Sequence, residues 1–171
     1  MASSSAWVIP FIGSVSTQAT GDPSDFEAGV VFDWDGKDAA YELQLPKGSY
    51  DLRPYGYLSF RAAQGTRHPN TVALDGPLSF TVVLVDGTGA ESAVDISSFG
   101  VLTETYPRPE YGAGEGWANE FNTIRIPVTA FDADGRAIDL GDIRSIRFAF
   151  GPSYGSELGR IGLDDVEVTF R

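Results

Sequence analysis

The residues with the clearest chemical potential lie in the closing segment, Gly159-Arg160-Ile161-Gly162-Leu163-Asp164-Asp165-Val166-Glu167-Val168-Thr169-Phe170. It reads as a β-strand whose buried parity changes midway. Ile161 and Leu163 share one face, whereas Val166, Val168 and Phe170 keep a period of two displaced by one residue. Such a change needs one extra residue, so a β-bulge is predicted at Asp164-Asp165. Two adjacent carboxylates in an otherwise apolar strand need a positive partner, because burying an isolated carboxylate is costly. Calcium, a hard cation held by oxygen ligands, is the leading candidate.

Other stretches carry weaker chemical signals. Asp33-Trp34-Asp35-Gly36 and Asp132-Ala133-Asp134-Gly135 both resemble the start of an EF-hand loop. The positions that should supply the closing glutamate are Gln44 and Ile143, so both are read as hairpin turns. Gly151-Pro152-Ser153-Tyr154-Gly155 matches the G-x-S-x-G pattern of a nucleophile elbow. That elbow needs a helix next, yet Ser156-Glu157-Leu158-Gly159 leads straight into the final strand. The single histidine, His68, sits between Arg67 and Pro69 and reads as a surface or ligand-contacting residue. One histidine rarely makes a metal site. Asp and Glu together number 24, which leaves paired-carboxylate glycoside hydrolysis open by count alone. None of them lies in an apolar pocket segment, and the expectation is that the chain is not an enzyme.

The elements that must position these groups are strands throughout. Residues 6–12 form a short apolar run. Residues 28–34 and 39–45 flank Asp35-Gly36-Lys37-Asp38 and are predicted to form a hairpin. Residues 57–63 place Leu58, Phe60 and Ala62 on one face and Tyr57, Ser59 and Arg61 on the other. Residues 78–85 have two apolar faces near their end, which predicts a central strand. Residues 92–96, 99–103, 121–128 and 143–150 complete the set, with Arg125 and Arg147 pointing outward. About nine half-buried strands predict an all-β fold, a two-sheet antiparallel β-sandwich of jelly-roll type. Two loops, 64–76 and 104–119, are too long for plain turns, and the second carries Tyr106, Tyr111 and Trp117. Trp7 and Trp34 are read as core or edge packing.

Composition narrows the classes. The 171 residues are expected to form one jelly-roll domain over 1–171, with 1–20 as an N-terminal extension bearing a short strand. Twenty Gly, ten Pro and 12% aromatic residues suit a turn-rich β domain. A net charge of −12 repels phosphate backbones and anionic lipid, so neither nucleic acid nor membrane is an expected partner. The absence of cysteine removes disulfides, thiolate metal sites and cysteine nucleophiles. No signal peptide is visible at Met1-Ala2-Ser3-Ser4-Ser5.

Four segments resemble a known family. Asp25-Phe26-Glu27 is similar to the "DFE" opening of certain carbohydrate-binding jelly rolls. Trp117…Phe121-Asn122-Thr123-Ile124-Arg125-Ile126-Pro127-Val128…Phe131 is similar to their "W-x-T-V-R-I-P-L-x-x-F" segment. Asp139-Leu140…Ile143-Arg144-Ser145-Ile146-Arg147-Phe148 resembles "D-L-x-x-I-R-S-I-R-F", and Ile161-Gly162-Leu163-Asp164-Asp165-Val166 resembles "I-x-I-D-D-V". Together they resemble the galactose-binding-like superfamily, nearest to carbohydrate-binding modules of families 11 and 30. The resemblance implies a structural Ca²⁺ whose side-chain ligands would be Asp25, Glu27 and Asp165. It also implies a non-catalytic module of a secreted system, acting as a monomer beside an attached catalytic domain. The partner would be a polysaccharide or oligosaccharide.

Sugars are held by aromatic faces and by planar Arg, Asp and Asn groups. The candidate ligand-binding residues are therefore Tyr57, Arg61, Tyr106, Tyr111, Trp117, Arg125, Arg147 and Tyr154, provided that the arginine-bearing strands share one sheet face. Two rival readings use the same fold. One is a structural or protein-interaction accessory domain, and the other is a small glycan-active hydrolase or lyase.

Overall fold

The computed structural model describes residues 30–65, 76–108, 116–118, 120–133 and 138–170. The apolar run at 6–12, Trp7, Asp25, Glu27, His68, Tyr111 and the side chain of Trp117 lie outside what is described.

Ten strands follow in chain order: β1 (Val30–Asp35), β2 (Ala39–Gln44), β3 (Tyr57–Gln64), β4 (Thr81–Asp86), β5 (Glu91–Asp95), β6 (Tyr106–Arg108), β7 (Gly116–Ala118), β8 (Asn122–Pro127), β9 (Ile143–Phe150) and β10 (Leu158–Thr169). Eight of them form two four-stranded antiparallel sheets. Sheet I has the order β1-β10-β3-β8 and sheet II the order β2-β9-β4-β5. Strands β6 and β7 pair as a separate small ribbon. Single 3₁₀ turns at Ile96–Ser98 and Val128–Phe131 follow β5 and β8. The predicted two-sheet antiparallel sandwich is the fold observed.

The core is a layer of rings between the sheets. Phe32 and Trp34 of β1, Phe60 of β3, Phe80, and Phe148 and Phe150 of β9 are all buried. Trp34 stacks on Phe150 with centroids 4.7 Å apart, and Phe60 meets Phe148 edge-on at 5.3 Å. Offset and edge-to-face contacts of this kind add to the area that the rings bury. The Trp34 indole lies directly on Gly159, where an added Cβ would come within 2.3 Å of the ring. Its N–H donates to the Ser156 carbonyl at 2.9 Å. The packing role expected for Trp34 is what the structure shows.

The predicted bulge is present. Asp164 pairs with Arg61 and Glu167 with Ser59, so two residues of β10 oppose Phe60 alone. Asp165 takes up the extra length at φ 49°, a left-handed conformation that short polar side chains tolerate better than most. Ile161 and Leu163 are buried ahead of the bulge, and Val166 and Val168 pack against the core beyond it. Strand β4 lies between β9 and β5, the central position predicted for it.

Two expectations fail. Strands β1 and β2 do not form a hairpin: β1 pairs with β10 in sheet I and β2 with β9 in sheet II. Asp35-Gly36-Lys37-Asp38 is instead a corner between sheets, with the Gly36 amide donating to the Glu157 carbonyl at 3.2 Å. An Asp-Gly pair supplies the tight reversal but not its destination, which is set by Phe32 and Trp34 packing beneath β10. Residues 99–103 contribute only an isolated bridge, Leu102 to Leu78, and no strand.

Inserting one alanine after Asp165 would add a second extra residue and turn Val166 and Val168 outward, and a stability loss of about 2 kcal/mol or more is expected. Deleting Asp165 instead closes the bulge and leaves both valines facing the core, so that variant should stay much closer to wild type. Thermal and denaturant unfolding of the two variants checks this, with Asp165→Gly as the control that keeps the register.

Candidate functional site

The outer face of sheet II carries a shallow groove of about 580 Å³. Its floor follows from pairing register. Ala40, Ala149, Thr81 and Asp95 stand in one row across β2, β9, β4 and β5. Arg147, Val83 and Ala93 stand in the next row, with Glu42 beside Arg147 on β2. Small outward residues keep the floor low, while Arg147 rises from its middle.

Arg147 is held from both sides. Its Nε donates to Glu42 Oε2 at 3.2 Å and its Nη1 to Glu91 Oε1 at 2.9 Å. The Ser145 hydroxyl, more than Arg147, holds the Glu42 carboxyl below the ordinary glutamate range against its partial burial. A general acid for glycoside cleavage needs the opposite shift. Both carboxylates that meet Arg147 are therefore committed to a guanidinium, an arrangement suited to hydrogen-bonding and not to proton transfer.

One end of the groove is the turn after β9, carrying Ser153 and a partly exposed Tyr154. This turn contains the G-x-S-x-G pattern, and its glycines have a packing reason. Gly151 and Gly155 adopt φ of 105° and 140°, and a Cβ on either would meet backbone atoms of residues 37–38 or 79 within 2.8 Å. The Ser153 amide donates to Asp38 Oδ1 at 3.0 Å, and the Thr81 hydroxyl to the Tyr154 carbonyl at 2.9 Å. No helix follows, so the serine has no elbow geometry. At the other end the β4–β5 turn presents Glu91. Asp86 fixes that turn, accepting from the Thr88 hydroxyl, the Thr88 and Ala90 amides, and the Asp139 amide.

The eight candidate residues do not share one surface. Tyr57 and Arg61 of β3 and Arg125 of β8 lie together on the outer face of sheet I, where Arg125 stacks on Tyr57 at 4.3 Å. Arg61 covers the Phe121 ring at 5.1 Å and reaches Asp165 Oδ2 at 3.3 Å. Arg147 and Tyr154 are on the opposite sheet, so the expected single arginine-bearing face is corrected to two. Strand parity shows that all three arginines point outward, but not which sheet each belongs to. Tyr106 starts the β6–β7 ribbon and donates its hydroxyl to Glu120 at 2.8 Å. Tyr111 and the Trp117 side chain are outside the described residues. Sequence reasoning missed Glu91 and Asp95 in the groove, Glu42 beside Arg147, and Phe121 on sheet I. The outward parity of Glu42 was readable, but its value needed the β2–β9 pairing.

The expected metal ligands are only partly described. Asp165 is at the bulge, and the positive group it meets there is Arg61. Among the described residues no three His, Cys, Asp or Glu side chains converge on a metal-sized site. A second cavity, of about 280 Å³, opens between the sheets beside the bulge. Tyr41, Leu43, Leu45, Leu52, Val166 and Val168 make most of its wall aliphatic or aromatic, a poor match for a polyhydroxylated chain.

No family sequence model matches the chain, and no curated protein matches it in sequence. Solved structures do match in fold. A family 30 carbohydrate-binding module superposes with a TM-score of 0.63 at 15% identity, covering 94% of this chain and 76% of that one. The family 30 module of the Clostridium thermocellum cellulosomal cellulase Cel9D-Cel44B gives 0.61 at 14% identity, with 95% and 86% covered. A family 11 module from C. thermocellum, solved with a β-1,3-1,4-mixed-linked tetrasaccharide, gives 0.57 at 16%, with 92% and 83% covered. The fold is thus the β-sandwich jelly roll of these carbohydrate-binding modules.

Asp86 supplies a pH test of the groove's scaffold. The Thr88 hydroxyl first, then the Asp139 amide, lower its carboxyl to about 2. A lowered carboxyl stabilises the fold fully above the ordinary Asp range and loses that contribution as pH falls through about 2. Asp86→Asn is expected to lower Tm near neutral pH, with the gap to wild type narrowing towards pH of about 2. Melting curves across that range check it.

Proposed function

We propose that the chain is a non-catalytic carbohydrate-binding module that lays a poly- or oligosaccharide along the groove of sheet II. The observation carrying this reading is a low floor of Ala, Val and Thr with a buttressed arginine at its centre. Fixed planar groups meet sugar hydroxyls without first being ordered, which lowers the entropic cost of binding. Arg147 keeps its Nη2 free of protein hydrogen bonds among the described residues, while Glu91 and Asp95 offer acceptors beside it. The Tyr154 ring at the end of the groove is placed for contact with the apolar face of a pyranose. From the Thr81–Ala149 row to Glu91 opposite Val85, four residues further along β4, the groove runs roughly 13 Å along the strands, enough for more than one ring. The likeness to family 30 and family 11 modules supports this reading. In that role the domain would serve a secreted polysaccharide-acting system, raising the local concentration of an attached catalytic domain on its substrate.

The test is affinity electrophoresis on a panel of soluble neutral polysaccharides, followed by titration calorimetry on oligosaccharides of the one that retains the protein. Tyr154→Ala is expected to weaken binding about tenfold with Tm unchanged, and Phe121→Ala to leave it alone. Retention on no polysaccharide, or loss through Phe121 in place of Tyr154, would sink the groove reading and favour an accessory interaction domain. Release of reducing ends would point to an enzyme.

We also propose that calcium is held at the β10 bulge. Asp164 and Asp165 offer only hard oxygen donors there, and β1 begins at Val30 opposite Leu163, next to the bulge. Asp25 and Glu27 would complete the side-chain set. When bound, the ion would tie the two ends of the fold together. Millimolar calcium should raise Tm and EGTA should reverse the rise. Asp165→Asn should shrink the shift, and a Tm indifferent to calcium would dispose of the idea.

A further inference from the structure

The outer face of sheet I holds a second arrangement that the groove does not use. Four arginines among the described residues are ion-paired: Arg53, Arg61, Arg144 and Arg147. Arg125 is exposed and has no carboxylate partner among the described residues, although the chain carries a net charge of −12. Its guanidinium is nevertheless held in place, stacked on the Tyr57 ring at 4.3 Å. Stacking immobilises the planar fork and leaves its N–H edges available, the state in which arginine binds a carboxylate in bidentate fashion.

Register fixes what surrounds it. One row across sheet I reads Glu167, Ser59, Arg125 on β10, β3 and β8. Ser59 is short and buried, so the row is a notch with a carboxylate on one bank and a guanidinium on the other. Two strand spacings separate the banks, roughly 10 Å, too far for Glu167 to pair with Arg125 directly. The next row reads Asp164, Arg61, Thr123, which places a second guanidinium diagonally from Arg125 and a hydroxyl opposite Arg61. Arg61 is already engaged by Asp165.

From this geometry we infer a second binding site on sheet I, for a sugar acid carried singly on an otherwise neutral glycan. The ligand's carboxylate pairs with Arg125, and its hydroxyls donate across the notch to Glu167. Glu167 on the notch and the chain's net charge of −12 repel a polyanion, so densely charged polymers and acidic peptides are disfavoured while an isolated uronate is admitted. The choice of a glycan as ligand rests on the groove reading, but the site shares no residue with the groove.

The experiment is calorimetric titration of the intact chain with two probes, a xylo-oligosaccharide bearing one glucuronic acid and the same oligosaccharide undecorated. Wild type is expected to prefer the decorated probe at least tenfold, and Arg125→Gln to abolish that preference. Arg125→Lys should keep only part of it, since a point charge lacks the fork. Because Arg125 is exposed, these variants should melt with wild type. A preference that survives in Arg125→Gln, no preference at all, or equal affinity for polygalacturonate would overturn the inference. Tyr154→Ala run beside them separates the two sites: it should weaken a groove ligand and leave the uronate preference intact, so each reading can fail alone.

Discussion

The constraint from which the rest of this fold follows is that one strand, β10, must stay apolar on its inner side while serving two neighbours. Its first half is shared between β1 and β3, and beyond the bulge only β3 continues beside it. A regular strand of this sequence would bury Ile161 and Leu163 and expose Val166 and Val168, or the reverse. One residue in a left-handed conformation resolves the conflict. The same residue sends a carboxylate outward, where Arg61 meets it, and so ties the strand's geometry to the electrostatics of the sheet I face. The aromatic layer then sets which strands lie over one another: Trp34 rests on Gly159 because no other residue there leaves room for the indole.

The two outer faces use arginine in opposite ways. On sheet II, Arg147 is held by two carboxylates and contributes direction more than charge, its field being largely cancelled where it stands. On sheet I, Arg125 is held by a ring and keeps its charge. The difference lies in the strands beside them. Glu42 stands directly beside Arg147 on β2 and Glu91 reaches it from β5 past Val83, whereas Arg125 has Ser59 beside it and the carboxylate beyond, Glu167, does not pair with it. Placing a cation within a very acidic surface, and neutralising it on one face but not on the other, gives one small domain two faces of different local charge.

Much of this was legible in the chain. The parities of β3, β4, β8 and β9, the burial of Trp34 and the bulge at Asp164-Asp165 are local consequences of alternation. They survive because tertiary packing reinforces them. What could not be read was membership of a sheet. Asp35-Gly36 is an equally good reversal inside a sheet or between sheets, so β1 and β2 looked like partners when they are not. For the same reason Arg61, Arg125 and Arg147 were recognisable as outward but not as residents of opposite faces. The role of Asp86 was not legible either, since its bond from the Asp139 amide spans 53 positions. Glu42 beside Arg147 and the groove residues Glu91 and Asp95 gain meaning only from register, which is a property of pairs of strands and not of one.

The pairing of β1 with β10 also determines how the domain would bear load. The two strands are antiparallel, and Val30 begins β1 on the same side from which Thr169 leaves β10. Tension applied through those two points therefore does not shear a row of hydrogen bonds together. It opens them in sequence from Val30–Leu163 towards Asp35–Leu158, as a zipper opens, and a zipper yields at low force. A domain tethered at both ends in flow would peel along this seam first, exposing the Phe32 and Trp34 side of the core while β3, β8 and the whole of sheet II remained paired.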